Sequence, residues 1–560
     1  MAGRAGRTGV RREVLAVGLG SLALAVAMTW PAALHPASTV PEDLADPLLQ
    51  VWLTAWGGHA LRTQPLHVFD ANAFWPLKDS LAFSDSLLGY SPLGLVGSGP
   101  SAALVRYNLI YILTFALALT GAYALARQLG TSPLAAAVAG AAFAYAPWRI
   151  AHAGHLHVLS AGGIPLALAL LARGHGYARA GPRPWRGQRN AAYAAAGWTV
   201  AAWQLTIGFG LGLAFGYLIG LGVIVAAVGW WRAGRPALGR RLAVADAVGL
   251  AGFVLVGAVM ARPYLAVVHD HPEARRDAAT VAMFSPPLRG FVTTPAQDAL
   301  WGAAQRDIRA RLSFPPEMTL APGAAVTVLA LVGTLAGRWT RRRRLVLAGV
   351  VVVGVALGMG TRFPGGGRFT YLVLLHHAPG WAGLRTPGRL IVFVTLALCL
   401  LAAAGVDVLA RRSTRLVPAS ALAVVLAEGV SHIPHPRVEP PPAALRDVTG
   451  PVFVLPSDPY NDDAAMFWST AGFPALLNGS SGFTPASLDE LRRQTAGFPD
   501  PASVELLRRR GVRTVVVLRN RIRGTAWQAA ADKPVVGLPL TRSERSGAVV
   551  FALVPTAAPR

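Results

Sequence analysis

Residues 389–433 read RLIVFVTLALCLLAAAGVDVLARRSTRLVPASALAVVLAEGVSHI. Two apolar runs, near 389–410 and 415–433, flank a short segment that holds Arg411, Arg412 and Arg415. Each run has the length, roughly 17–25 residues, that crosses about 30 Å of hydrocarbon. Toward the N-terminus, comparable runs recur near 14–34, 103–127, 131–147, 156–173, 190–206, 208–231, 242–262, 322–337 and 344–361. The sequence therefore predicts an all-α polytopic membrane protein of about eleven spans. Composition agrees, since a 560-residue chain that is 53% hydrophobic and 14% charged is too apolar for a solvated globular protein. Several runs are rich in Ala and Gly, which suits close helix contact in lipid.

A net charge of +25 raises the question of nucleic acid, and its distribution answers it. With the N-terminus inside, the inner segments hold Arg4, Arg7, Arg11 and Arg12, then Arg173, Arg179, Arg183, Arg186 and Arg189. Arg232, Arg235, Arg240 and Arg241 follow, then Arg338, Arg341 to Arg344, and the cluster at 411–415. The acids on that side are Glu13, Asp246 and Asp407. This is the positive-inside pattern, so the expected contacts are membrane lipids and no nucleic acid. It predicts a multi-pass protein of the cell membrane with a cytoplasmic N-terminus and an extracytoplasmic C-terminus. Residues 13–30 look like a signal-peptide core without a clean cleavage site, and are read as an uncleaved first helix. The single Cys399 lies within a span, which excludes a disulfide framework or a cysteine metal site.

The expected organisation is a membrane domain over 1–433, with outer loops at 35–102, 263–321 and 362–388. A Pro-rich linker follows at 434–445, HPRVEPPPAAL at its heart, and then an extracytoplasmic domain at 446–560. In the first outer loop, Leu49, Trp52, Leu53 and Trp56 recur at helical spacing, predicting an amphipathic helix over 46–62 on the membrane surface. Residues 69–92, FDANAFWPLKDSLAFSDSLLGYSP, predict a packed irregular loop that dips toward the spans. In the tail, PVFVLP and VRTVVVL read as strands, while SLDELRRQ and PASVELLRRRG read as helices, the second closed by Gly511. A small α/β domain follows.

Chemistry, where present, belongs on the outer side, which in this topology holds every histidine except His175. Glu42, Asp43 and Asp46 follow the first span, with Asp46 at the start of the predicted helix. Asp46 is either a helix cap or a general base held where a membrane-embedded substrate meets water. In WRIAHAGHLHVLS, His152, His155 and His157 do not share one helical face, so this segment alone does not make a three-histidine metal site. One of these imidazoles can still donate to a phosphate or take a proton. Arg385 and Arg389, in GLRTPGRL just before a span, suit a phosphate bidentately or reach toward lipid headgroups. Glu428 lies within the last span near its outer end, where it can snorkel to water.

The order of these features resembles the GT-C superfamily of bacterial membrane glycosyltransferases, which use polyprenyl-phosphate-linked sugars. The stretches that carry the resemblance are DPLLQVWLTAW, FDANAFWPLKDSLAFSDSLLG, GHLHVLSAGGIPLAL, DALWG with PPEMTLAPG, and LRTPGRL. In the tail, NGSSGFTP and FPDPASVELLRRRGVRTVVV are similar to the outer domain of uncharacterised members. The resemblance implies hexosyl or pentosyl transfer from a lipid-linked donor to an acceptor on the outer face. It implies Asp46 as catalytic base with Asp43 second, Asp85 at a second acidic position, and Arg385, Arg389, His155 and His157 as substrate-binding. The acid pair of that superfamily stands here in reversed order and upstream, as Glu42-Asp43. A divalent cation is left open, and neither the sugar nor a protein partner is implied. Two other classes compete: a transporter or lipid flippase, against which stand few charges within the spans and no inverted repeat, and a non-catalytic envelope-assembly scaffold.

Overall fold

The computed structural model describes residues 2–177, 189–235, 238–411, 415–446, 448 and 450–555. Of the inner arginines, Arg179, Arg183, Arg186 and Arg412 lie outside the described residues. Every apolar run named above coincides with a helix. Among the described residues, six helices are long and apolar enough to cross a membrane: Gly99–Gln128, Pro133–His152, Leu156–Gly174, Phe209–Arg232, Arg240–Asp270 and Pro387–Leu409. Ala324–Ala336 and Leu416–Glu428 are shorter apolar helices. The chain is a mostly helical membrane protein with a small sheet near its C-terminus.

It forms two compact units. The first comprises Met1–Leu34, Ile110–Ala261 and Arg276–Pro434. Within it, helix Ala324–Ala336 crosses helix Ile391–Leu409 with the backbones nearly touching. A Cβ on Gly333 would fall 1.8 Å from the Leu401 carbonyl oxygen, and one on Gly405 would fall 2.2 Å from that of Leu329. In lipid, association comes from such packing of small residues.

The three inner acids tie helices together. Glu13 accepts from Arg127 Nε and from the Tyr123 hydroxyl, both at 2.6 Å. Asp246 accepts from the Trp198 indole at 3.1 Å and meets His175 Nε2 at 3.0 Å. Asp407 accepts from the Ser132 N–H at 3.1 Å, at the start of helix Pro133–Ala144. Glu428 does not reach outward: it is buried and accepts from the N–H groups of Ala324 and Ala325, both at 3.1 Å. It thus satisfies the first donors of helix Ala324–Ala336, where negative charge also suits the helix dipole.

The second unit comprises His35–Leu109, Arg262–Arg275 and His435–Arg560. Its sheet has strands β1 (Val452–Leu455), β2 (Thr514–Leu518), β3 (Leu540–Arg545) and β4 (Ala548–Leu553), in the order β1-β2-β4-β3. β1 and β2 are parallel, with Val452 opposite Thr514, and the other two pairings are antiparallel. The parallel crossover carries helices Pro459–Ser469, Ala486–Gln494 and Pro501–Arg509. β1 and β2 are buried along their whole length, as their continuous apolar runs require. β3, at the edge, is LTRSER and exposed beyond Leu540, and its charges discourage further strand pairing. Helix Pro501–Arg509 starts with a capping box between Asp500 and Ser503, and Gly511 follows it at φ +76°.

The helix predicted on the membrane surface, here Asp46–Thr63, is instead enclosed on nearly all sides. Its stripe of Leu49, Trp52, Leu53 and Trp56 is matched by Leu48, Val51, Ala55 and Ala60 on the other faces, all of them buried. A helix that is apolar all round belongs in a core. Its tryptophans are buried donors: Trp52 Nε1 donates to Asn72 Oδ1 at 2.9 Å and Trp56 Nε1 to the Val68 carbonyl at 2.8 Å. Asn72 passes the connection to the tail, donating to Ser469 Oγ at 3.1 Å and to the Pro474 carbonyl at 2.8 Å. The loop at 69–92 is packed and irregular, and the Phe74 and Trp75 N–H groups donate to the carbonyls of Asn478 and Leu476. The Pro-rich stretch is extended, its Val438 N–H donating to Ser38 and its Pro436 carbonyl accepting from Val40.

Candidate functional site

Candidate residues fall into two groups, one in each unit. In the first unit, Pro147 opens a 3-10 turn, Pro147–His152, and a new helix begins at Leu156. This break undoes the spacing a continuous helix would impose. His152 Nδ1 and His155 Nδ1 come within 3.1 Å, while His157 turns to Arg389, whose Nη1 is 2.9 Å from its Nε2. A guanidinium can only donate, so His157 Nε2 is the acceptor in this contact.

Arg389 also clamps a residue absent from the expected set. Its Nε and Nη2 donate to Glu317 Oε2 and Oε1 at 3.2 and 2.5 Å. Glu317 sits in the short helix Pro315–Met318 and is 5% exposed. Burial alone would raise its carboxyl, but the charge of Arg389 and the adjacent imidazoles outweigh burial and hold it well below the usual range. His152, His155 and Glu317 offer ligand atoms that all lie within 4.8 Å of one another. Two imidazoles and a carboxylate suit a transition metal such as zinc, and His152 Nε2 is buried without a partner among the described residues. The third potential ligand of this cluster is the Glu317 carboxylate, not the third histidine.

Arg385 lies over the Phe284 ring, 5.1 Å from its centroid. Arg276 is within electrostatic reach of it, and burial, then the charge of Arg385, lowers the Arg276 guanidinium to about 10. Two neighbouring cations of this kind form a place where an anion is favoured.

The second group is acidic. Asp46 is the first residue of its helix, one position past the cap, which is Ala45 and provides no side-chain acceptor. Asp43 accepts from the Ala45 N–H at 2.9 Å. Two acids missing from the sequence reading stand on the tail helix Pro459–Ser469. Asp462 is fully enclosed and accepts from Arg492 Nη2, Asn478 Nδ2, the Gly479 N–H and Ser457 Oγ at 2.6–3.1 Å. Burial pushes its carboxyl up to about 6 against the pull of Arg492 and Asn478. Asp463, 4% exposed, is pushed well above the usual range by burial and then by the charge of Asp46. Asp85 lies within electrostatic reach of Tyr264, whose hydroxyl donates to the Ser84 carbonyl at 3.0 Å.

No protein-family model matches the sequence, and no curated protein does. Among solved structures the chain is similar to the arabinofuranosyltransferase AftD from Mycobacteria, with a TM-score of 0.51 and 15% identity. That likeness covers 98% of this chain and 42% of AftD, so the chain spans less than half the length of that protein. The Archaeoglobus fulgidus oligosaccharyltransferase is matched at a TM-score of 0.43 and 13% identity, over 96% of this chain and 73% of that one. ArnT from Cupriavidus metallidurans is matched at 0.35 and 14%, over 98% and 99%. The likeness to AftD is one of fold, and it agrees with the GT-C-like fold expected from the sequence.

Proposed function

We propose that the chain is a glycosyltransferase that moves a sugar from a polyprenyl-phosphate donor to an acceptor on the outer face of the membrane, its N-terminus cytoplasmic and its tail domain outside. The observation that carries this reading is the likeness in fold to an arabinofuranosyltransferase over 98% of the chain. In a single displacement, Asp46 takes the proton of an acceptor hydroxyl as that oxygen bonds to the anomeric carbon. The bond from that carbon to the lipid phosphate breaks, the phosphate leaves with the electron pair, and the configuration inverts. Arg385 and Arg276, both in the first unit, suit the phosphate of a lipid-linked donor, since fixed positive charge is favourable where negative charge develops. Arg389 donates to Glu317 and His157, and its part is to hold these two in place. A divalent cation, if bound, would be held by His152, His155 and Glu317 and would supply positive charge there.

The test uses membranes in which the chain is expressed and a labelled polyprenyl-phosphate sugar is supplied. Label is expected in a new, non-lipid-phosphate product. Arg385→Ala should raise the donor concentration for half-maximal rate at least tenfold, as loss of a hydrogen bond to a charged group of roughly 1.5–3 kcal/mol requires. An unchanged donor dependence would remove Arg385 from the donor site.

A further inference from the structure

Asp463 is a buried acid without an evident reason to be one. It is 4% exposed, and its Oδ1 has no hydrogen-bond partner among the described residues. Its neighbour Asp462 is met by an arginine and three further donors, so the two adjacent acids live in opposite environments. Their helix, Pro459–Ser469, packs against helix Asp46–Thr63. The first turns of the two helices abut, since Leu44 and Leu48 line one small cavity with Tyr460 and Ala464.

We propose that Asp463 is a positioning residue for Asp46: it reaches the first turn of helix Asp46–Thr63 and donates its carboxyl O–H to the Asp46 carboxylate. The proposal rests on the reading of Asp46 as the base. The groups within electrostatic reach of Asp463 support it. From the first loop come the negative charges of Asp46 and Asp43, from its own helix that of Asp462, and from the following loop the hydroxyl of Ser480. Arg492 is committed to Asp462 and Asp489. An ionised Asp463 would be a buried anion among anions, whereas the neutral acid has a proton to give and a carboxylate to receive it. Such an O–H···O⁻ bond is short and strong, and it would fix the Asp46 side chain while keeping it ionised. The tail domain would thereby supply a part of the base, and adjacent Asp462 and Asp463 would hold opposite protonation states near neutrality.

The experiment uses the full chain in lipid nanodiscs and infrared difference spectroscopy at neutral pH, which needs no activity. Wild type minus Asp463→Asn should show a protonated-carboxyl C=O band, and Asp46→Asn should shift that band because the acceptor has changed. In the transfer assay, wild type should lose activity on the alkaline side as Asp463 ionises and its donor is lost. Asp463→Asn, which keeps an amide donor at every pH, should retain most transfer and lose that limb. Asp463→Ala should fall roughly tenfold or more at every pH, as for a lost hydrogen bond to a charged group. A band that is missing, or unmoved by Asp46→Asn, overturns the pairing and leaves Asp46 as base untouched. A band that responds to both substitutions while Asp46→Asn transfers at full rate overturns the base and, with it, the positioning role. Superimposable pH profiles for wild type and Asp463→Asn overturn the positioning role alone.

Discussion

Glu317 keeps its charge inside the protein chiefly because Arg389 meets it with two donors. Arg389→Ala should strand a buried carboxylate and cost about 3–5 kcal/mol, whereas replacing both residues with leucine should cost far less. Thermal unfolding of the detergent-solubilised variants measures this, and equal losses for single and double variants would contradict it. The folded carboxyl is held low, so its stabilisation is present above the ordinary carboxylate range and is lost as pH falls through the folded value. Wild type should therefore lose stability on acidification more than the double-leucine variant. Glu317 was hidden in the sequence because a turn reading PPEM says nothing of burial, and its partner is 72 residues away. Asp463 was hidden for the same reason, since only packing against the first loop makes an acid of an ordinary helix into a buried one. The histidines and arginines were legible, because polar residues at the ends of apolar runs stand out. Asp46 could be read as a cap or a base from its neighbours alone, and the cap position proves to be Ala45.

At the scale of elements, hydropathy located the helices well because a stretch that must lie in lipid has little freedom in composition. It misplaced helix Asp46–Thr63, since a stripe of large residues draws the eye while Ala55, Gly57 and Gly58 on other faces give no hydropathy signal of their burial. β1 and β2 were visible as apolar β-branched runs. β3 carries no such run, being a charged edge strand. Where two helices meet through glycine, side chains decide the spacing. Gly405→Leu should push helix Ile391–Leu409 off helix Ala324–Ala336, since even a Cβ there lies 2.2 Å from a carbonyl oxygen. We expect overpacking of roughly 1–3 kcal/mol or more, seen as a lower melting temperature, against little change for Gly349→Leu, which has open space around it. Equal effects at both sites would contradict the close crossing.

For the molecule as a whole, the distribution of arginine predicts the orientation. Reporter fusions after residue 342 should report cytoplasm, and fusions after residues 70, 300 and 450 should report the outside. Two successive reversals would overturn that topology. In the proposed function the acceptor approaches from water and the lipid-linked donor from the bilayer, which calls for a base at the end of a rigid element. Asp46 opens a helix that is enclosed on nearly all sides. The direct measurement is transfer of labelled sugar from polyprenyl phosphate in membranes, comparing wild type with Asp46→Asn at equal protein level. Asparagine keeps the size of the side chain but cannot accept the proton, so insertion and folding should be intact while transfer falls by roughly 10²-fold or more. Full transfer by Asp46→Asn would contradict the assignment of the base and point to Asp43 or Asp85.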